Sequence, residues 1–229
     1  MKPDEKAAAQ EFDAWAEAGR GESMARGHGA ATRAAISNWQ LTGTSRVLDV
    51  GCGNGWAVRA LVDQGAALGC GVDISPKMIE RARQAVGSDA RYEFAVGSGQ
   101  ALPFADDKFS HILSVESLYY YPDPLIALGE WRRVAASEGR LAVMVELFAE
   151  NPAGQVWADA LDINVHLLSE REYEDLAKQA GWGQVLTRRV VDPSPIPGPS
   201  EFESSKYWPS YEMFVGYREA GSLVIEAAN

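Results

Sequence analysis

VLDVGCGNG, residues 47–55, is the stretch of the chain that decides its fold. An apolar run that predicts a buried strand leads directly into three alternating glycines, and a helical pattern begins at Trp56. Glycine lets the backbone turn sharply and lets a ligand lie close to the chain. The N–H groups that open a helix favour an anionic group. The stretch therefore predicts a strand, a ligand-binding loop and a helix in succession.

The next segment along the chain predicts a second strand that ends in an acid. Leu68–Asp73 is apolar, and Asp73 follows Gly51 by 22 residues. Ser75 and Pro76 are typical of the first residues of a helix. An acid at this strand end accepts hydrogen bonds from ribose hydroxyls in doubly wound sheets. The two segments together predict a nucleoside-containing ligand across the carboxyl ends of two strands.

Strand and helix patterns alternate through the rest of the chain, which favours a mostly parallel sheet covered by helices. Further strands are predicted at 92–95, 109–115, 140–146, 184–191 and 211–217. Further helices are predicted at 56–64, 76–86, 124–136 and 169–180, the last opened by a capping box of Ser169 and Glu172. We predict a single domain over residues 1–229.

Three regions lie outside this alternation. Residues 1–45 predict a helical cap, with Phe12, Trp15 and Trp39 as apolar anchors. Residues 148–168 form an insert after the fifth strand, and residues 192–210 form a second one that is rich in proline, serine and aromatic residues. Long irregular inserts are often lids or binding loops. We expect both inserts to lie near the acceptor pocket, with the N-terminal helices and the first insert covering it. Plain surface loops explain the second insert equally well.

Composition excludes several classes of function. The net charge of −11 disfavours nucleic acid and anionic membranes as partners. No apolar run reaches the roughly 18 residues of a membrane span, and the N-terminal residues do not resemble a signal peptide, so we expect a cytoplasmic protein. Cys52 and Cys70 form no metal-binding pattern, and we expect no metal.

The form of the glycine loop bears on which nucleoside ligand is bound. A dinucleotide site has the pattern G-x-G-x-x-G, and its third glycine would fall on Trp56. The loop is instead G-x-G-x-G. This disfavours NAD and FAD, and an NAD-dependent oxidoreductase remains an alternative.

Four motifs in this order resemble those of class I S-adenosylmethionine-dependent methyltransferases: VLDVGCGNG, GVDIS, ALPFADDKFSHIL and ESLYYYPDP. The resemblance is closest to the small-molecule, type 11 or ubiquinone-biosynthesis-like branch and covers about residues 45–146. It implies a Rossmann-like three-layer α/β/α sandwich with a seven-stranded, mostly parallel sheet whose last strand is antiparallel. It also implies S-adenosylmethionine as cofactor and S-adenosylhomocysteine as product.

The resemblance also implies roles for particular residues. Asp73 would hold the ribose hydroxyls, and Glu116 would lie beside the methionine end. Ser98 departs from the family, which commonly has an acid there to accept a hydrogen bond from the adenine amino group. The implied cofactor-binding set is Gly51, Cys52, Gly53, Gly55, Asp73, Ile74, Met78, Ser98, Gly99, Gln100, Glu116 and, in a segment that closes over the cofactor, His28.

Methyl transfer is an in-line displacement in which positioning supplies much of the rate. A general base is needed only if the acceptor must lose a proton. His166, in the first insert, is the preferred base candidate, and Tyr119 is predicted to face the acceptor; a surface histidine and a core tyrosine are the alternatives. Trp157, Phe202, Tyr207 and Trp208 could complete an aromatic pocket or only anchor loops.

The predicted function is methyl transfer to a small organic acceptor. A non-catalytic S-adenosylmethionine-binding or regulatory protein is a second alternative to it. Fold and cofactor loop do not determine the acceptor, and the sequence leaves the acceptor atom and the oligomeric state open.

Overall fold

The computed structural model describes residues 3–229, with side chains from Glu5 onward, and builds them around one seven-stranded sheet. The strands are β1 (Arg46–Val50), β2 (Leu68–Asp73), β3 (Tyr92–Val96), β4 (Phe109–Val115), β5 (Ala135–Val145), β6 (Gln184–Val190) and β7 (Ser222–Ala228). Their order is β3-β2-β1-β4-β5-β7-β6. Neighbours among β1–β5 pair in parallel, whereas β7 is antiparallel to β5 and β6. The predicted sheet is confirmed.

Helices cover both faces of the sheet. They are α1 (Pro3–Glu17), α2 (Arg20–Ala35), α3 (Trp56–Asp63), α4 (Pro76–Val86), α5 (Pro124–Val134), α6 (Gly154–Ala160), α7 (Glu170–Gln179) and α8 (Tyr211–Ala220). Successive strand residues point to opposite faces. Val47 and Leu113 accordingly pack with Leu61 of α3, whereas Leu48 and Ile112 pack with Trp131 of α5. The result is the predicted three-layer sandwich.

Side-chain caps fix where several helices begin. The Ser75 hydroxyl accepts a hydrogen bond from the backbone N–H of Met78, and Pro76 occupies the first turn of α4. The predicted capping box of Ser169 and Glu172 opens α7. Such caps satisfy N–H groups that have no partner within the helix. They place the start of α4 directly after the end of β2.

One predicted strand is wrong: residues 211–217 form most of helix α8, and the last strand is β7. The aromatic residues of YEMFVGY favour a strand by propensity. The Ser210 hydroxyl, however, accepts a hydrogen bond from the N–H of Met213 and caps the helix. Gly221, at φ 66°, then ends it. Local capping and tertiary packing override the propensity of the segment.

The predicted helical region at residues 1–45 contains α1 and α2. Trp39 packs against His111 of β4, with ring centroids 4.8 Å apart. Phe12 lies on Tyr120, with ring centroids 5.0 Å apart. The first contact fixes the N-terminal segment near the amino end of β4, and the second fixes it beyond the carboxyl end of that strand. Across residues 3–229, none of the helices combines the length and apolarity that crossing a membrane requires.

Candidate functional site

The glycine loop after β1 is held in a conformation that favours glycine. Gly51, Gly53 and Gly55 have φ angles of 79°, 52° and 73°. A Cβ on Gly51 would lie 2.4 Å from Cβ of Ser117, so this position also requires close approach. A Cβ on Gly53 would meet no atom within 4 Å. The loop is therefore packed on the Gly51 side and open on the Gly53 side, where a ligand fits.

Asp73 ties this loop to the end of β2. Its Oδ2 accepts a hydrogen bond from the N–H of Gly53 at 2.8 Å, and its Oδ1 accepts one from the N–H of Ser75 at 2.9 Å. Burial raises the pKa of the Asp73 carboxyl to about 6, although these hydrogen bonds oppose the shift. Each carboxylate oxygen can accept a further hydrogen bond. Asp73 can thus organise the loop and still accept ligand hydroxyls.

The loop after β3 continues the same edge of the sheet. The N–H of Gly97 donates to the backbone oxygen of Asp73 at 2.9 Å. A Cβ on Gly99 would lie 2.6 Å from the Tyr121 hydroxyl, so Gly99 also sits in close contact. The Ser98 hydroxyl donates to Glu5 of α1 and accepts from the N–H of Gln100 at 3.1 Å. This loop is joined both to Asp73 and to the N-terminal helix.

Helix α1 covers the cavity that these loops enclose. Asp13 of α1 accepts hydrogen bonds from the Ser75 hydroxyl at 2.5 Å and from the N–H of Lys77 at 3.1 Å. Phe12 and Trp15 both make edge contacts with Tyr120, with ring centroids 5.0 and 6.3 Å apart. The helix is therefore docked at the start of α4 and over the aromatic residues after β4.

The cavity has a volume of about 970 Å³, including the part open to solvent. Its walls are mainly apolar. Of the predicted cofactor residues, the structure places in the wall Gly51, Cys52, Gly53, Asp73, Ile74, Met78, Gly99, Glu116 and His28. The wall does not include Gly55, Ser98 and Gln100.

A buried polar cluster of His28, Glu116 and Glu146 lies at the other end of the cavity from Gly97 and Gly99. The three residues come from α2 and from the ends of β4 and β5. His28 Nδ1 lies 3.2 Å from Glu146 Oε1, and the ligating atoms of all three lie within 4.8 Å of one another. His28 and Glu116 line the cavity. Glu146 stands behind them.

Hydrogen bonds hold each carboxylate of this cluster. Glu146 accepts from the Ser222 hydroxyl at 3.0 Å and from the Tyr217 hydroxyl of α8. Glu116 Oε2 accepts from the Tyr119 hydroxyl at 2.8 Å. The cluster has the residue types and spacing that could hold a metal ion. Because both oxygens of Glu146 already accept hydrogen bonds, we interpret it as a hydrogen-bonded network.

Electrostatics couples the three groups. Burial lowers the pKa of His28, but the charge and hydrogen bond of Glu146 outweigh it and raise that pKa to about 9. Burial and the charge of Glu146 raise the pKa of Glu116 to about 8. Burial also opposes ionisation of Glu146, yet His28, Tyr217 and Ser222 hold its pKa below the ordinary value. At neutral pH the cluster therefore contains a His28–Glu146 ion pair.

Glu116 carries two further signs of a functional position. Its φ of 51° lies in the left-handed region, which non-glycine residues adopt at a cost. Its Oε1 is buried and has no hydrogen-bond partner among the described residues. A buried carboxylate oxygen without a partner costs free energy. This oxygen belongs to a cavity-lining residue, so a ligand that donates a hydrogen bond would satisfy it.

The two predicted catalytic residues lie apart from the cavity wall. Tyr119 is buried, with its hydroxyl on Glu116, while its neighbour Tyr120 lines the cavity. His166 is half-buried, and its backbone N–H donates to the carbonyl of Tyr119 at 2.9 Å. Its side chain is not part of the wall. Both roles stay predictions.

The predicted aromatic residues of the two inserts meet each other. Trp157 and Trp208 have ring centroids 4.7 Å apart, and Trp208 lies 4.5 Å from the ring of Tyr217. Trp157 also donates a hydrogen bond to the backbone oxygen of Tyr207 at 2.9 Å. Phe202 packs on Tyr211 and Phe214 of α8. These contacts join the inserts through α8 to Glu146.

The sequence prediction missed Glu146 and Glu5 as parts of the site. Glu146 directly follows the buried strand β5, as Asp73 ends β2. An acid at a strand end was therefore a signal that could have identified it. Glu5 carries no such signal, because its position at the cavity depends on how α1 docks.

Comparison with known proteins agrees with this geometry. Residues 48–143 match the family described as a methyltransferase domain. The chain is 29% identical to the 27-O-demethylrifamycin SV methyltransferase of Amycolatopsis mediterranei (strain S699) over 197 residues, which cover 82% of this chain and 69% of that protein. Matches to seven further curated relatives span 28% to 54% of their lengths.

Two solved structures extend the comparison to nearly the whole chain. One is the candidate methyltransferase in a complex with the Trm112 methyltransferase activator of Haloferax volcanii. It is 32% identical, with a TM-score of 0.87 over 95% of this chain and 97% of that one. The geranyl diphosphate C-methyltransferase of Streptomyces coelicolor A3(2) has a TM-score of 0.71 at 15% identity, over 87% of this chain and 79% of that one. That second likeness shows the fold alone.

Proposed function

Because the chain belongs to the class I S-adenosylmethionine-dependent methyltransferases, in the type 11 branch, we propose that it transfers a methyl group from S-adenosylmethionine to a small organic acceptor. The observation that carries the proposal is the cavity itself. It joins Asp73 and the open side of Gly53 at one end with His28 and Glu116 at the other. One continuous cavity thus offers a nucleoside site beside a polar site.

The residues present fit the cofactor. Open space beside Gly53 leaves room for a ligand against the backbone, and Asp73 retains acceptor capacity for ribose hydroxyls. Ile74 and Met78 offer an apolar surface to a flat base. A cationic amine such as the methionine ammonium would lower the raised pKa of Glu116, and the unpartnered Oε1 of the ionised carboxylate could then accept from it. We therefore assign the nucleoside end to Asp73 and the methionine end to Glu116.

The protein acts mainly by positioning and by excluding water. S-adenosylmethionine, when bound, supplies a methyl group on a positively charged sulfur that needs only an in-line acceptor. Helix α1 covers part of the cavity with Phe12 and Trp15. A water-poor site with fixed dipoles favours a transition state in which charge is dispersed. Trp56 and Tyr120 line the wall and offer apolar contact to the acceptor.

For an acceptor that must lose a proton, we assign the base to His28 rather than to His166. His28 lies in the cavity wall, and Glu146 holds its Nδ1. Nδ1 is thereby fixed as the donor, which leaves Nε2 as the nitrogen able to accept a proton. Because the pKa of His28 is raised to about 9, turnover of such an acceptor should increase from neutral to alkaline pH.

Calorimetric titration with S-adenosylhomocysteine, with NAD as the control ligand, tests the cofactor assignment. We expect saturable binding of S-adenosylhomocysteine alone. Binding of NAD alone would favour the alternative of an NAD-dependent oxidoreductase. Absence of binding by either compound would contradict the proposed site.

A product assay separates an enzyme from a non-catalytic binding protein. The purified chain would be incubated with S-adenosylmethionine and a panel of phenols, carboxylic acids and amines, and S-adenosylhomocysteine would be measured by mass spectrometry. Acceptor-dependent formation supports catalysis. Binding of S-adenosylmethionine without turnover of any acceptor on the panel favours the regulatory alternative.

We also propose that an activator protein binds this chain. The proposal is supported by the 32% identical Haloferax volcanii chain, which was solved with the Trm112 methyltransferase activator. Co-expression with that activator, followed by size-exclusion chromatography, tests it. A stable complex with increased S-adenosylhomocysteine affinity is the expected result, and separate elution of the two proteins contradicts it.

A further inference from the structure

The N-terminal helix places a carboxylate in the cavity wall at a point where the sequence motif lacks one. Glu5 of α1 lines the cavity and is only 7% exposed. It accepts a hydrogen bond from the hydroxyl of Ser98, a residue 93 positions away in the chain. Helix docking therefore brings an acid to the loop after β3.

The position of Glu5 along the cavity follows from the sheet. Strands β2 and β3 are neighbours, and the N–H of Gly97 donates to the backbone oxygen of Asp73. Ser98 and its partner Glu5 thus lie one step beyond Asp73, away from β1 and Glu116. A nucleoside whose ribose is held by Asp73 would extend its base over Ile74 and Met78 toward Glu5.

The hydrogen bonds of the Ser98 hydroxyl favour Glu5 as the acceptor for that base. The Ser98 hydroxyl donates its one proton to Glu5 and accepts from the N–H of Gln100. The carboxylate has up to four acceptor positions and no proton to donate. An exocyclic amino group of a purine would donate to it, whereas a carbonyl oxygen at the same ring position would be repelled.

We propose that Glu5 recognises the amino group of adenine in the bound cofactor, in place of an acid at position 98. This assignment rests on the proposed methyltransferase function. It makes base recognition depend on the docked state of α1, which Asp13 anchors at Ser75 and Lys77. The helix then both covers the cofactor and selects it.

Calorimetry with two product analogues tests the proposal: S-adenosylhomocysteine and S-inosylhomocysteine, which carries a carbonyl in place of the amino group. Wild type should prefer the adenine compound. Glu5→Gln should weaken adenine binding on the order of tenfold, as expected for loss of one charge-assisted hydrogen bond. The glutamine amide can donate to a carbonyl, so binding of the inosine compound should improve.

Two further variants control for indirect effects. Glu17→Gln changes an exposed acid of α1 that does not line the cavity, and it should leave both affinities unchanged. Ser98→Asp combined with Glu5→Gln should restore the preference for adenine, because it returns a carboxylate to the same place. Circular dichroism spectra would show that each variant is folded.

The outcomes distinguish this inference from the function on which it rests. If wild type binds the adenine compound and Glu5→Gln leaves the preference between the two compounds intact, the role of Glu5 is overturned and the proposed function stands. An equal loss for both compounds would show that Glu5 only docks the helix. If wild type binds neither compound, the proposed function and this inference both fail.

Discussion

The two ends of the cavity are built in opposite ways. The cofactor end is local: Gly51, Gly53 and Asp73 lie within 23 consecutive residues and meet because β1 and β2 are adjacent strands. The polar cluster is assembled over long range, since His28 and Glu146 are 118 positions apart. The local end holds space open for a ligand. The long-range end links the N-terminal helices to the far side of the sheet.

This difference predicts which property each end controls. The hydrogen bonds of the cluster join α2, β5, α8 and β7, so changes there should alter stability and its dependence on pH. Changes in the glycine loop and at Asp73 should mainly alter ligand affinity. Variants at the two ends can therefore separate folding from binding.

Glu146→Gln should have the largest effect. It leaves His28 buried without its carboxylate, and breaking a buried ion pair costs about 3–5 kcal/mol. For a chain of this size that corresponds to a fall in melting temperature of roughly 6–20 °C. Thermal unfolding at pH 6 measures it. Glu138→Gln, in an exposed part of β5, is the matched control and should change little.

The pH dependence of the same variant sharpens the comparison. A group whose pKa is raised by folding stabilises the protein at low pH, and this contribution is lost as the pH rises. The loss falls between pH 6.5 and about 9 for His28, and between pH 4.5 and about 8 for Glu116. The facing groups are Glu146, Tyr119 and Tyr217. The melting temperature of the wild type should therefore fall from pH 6.5 to 9. Glu146→Gln removes the charge that raises both pKa values, so its curve should be flatter; an equally steep fall would contradict the coupling.

Asp73→Asn should have an intermediate effect, on binding. The amide oxygen can still accept from the N–H of Ser75, but the charged acceptor for ribose hydroxyls is lost. We expect S-adenosylhomocysteine binding to weaken by about 1.5–3 kcal/mol, or roughly 10- to 150-fold. Calorimetry measures it, with the exposed Asp63→Asn as control. Unchanged affinity would mean that the ribose lies elsewhere.

Tyr119→Phe should have the smallest effect. It removes the hydrogen bond to Glu116 Oε2 and keeps the buried ring, at a cost of about 1 kcal/mol. Melting temperature should fall by roughly 2–4 °C, and S-adenosylhomocysteine affinity should change little. Tyr211→Phe, which loses an exposed hydroxyl contact to Pro197, is the control. A large effect of Tyr119→Phe on acceptor turnover alone would restore Tyr119 as a residue that faces the acceptor.

The division between local and long-range contacts also separates what could be predicted from the sequence from what could not. The strands, the sheet and the positions of Gly53 and Asp73 depend on patterns a few residues long, and the structure shows them as expected. The segment 211–217 was mispredicted because Ser210 caps a helix that strand propensity hides. The local motif has Ser98 in place of an acid, yet the carboxylate of Glu5 contacts this serine from α1. Contacts that form only when a helix docks against the rest of the fold leave no pattern in the local sequence.

The left-handed backbone of Glu116 has a consequence for protein engineering. Glycine or asparagine adopts this conformation at lower cost, and neither would bury a carboxylate oxygen without a partner. A library selected only for heat resistance should therefore drift away from glutamate at this position. A library selected for turnover should keep it. Glu116 is the residue at which screening for robustness and screening for catalysis would select different sequences.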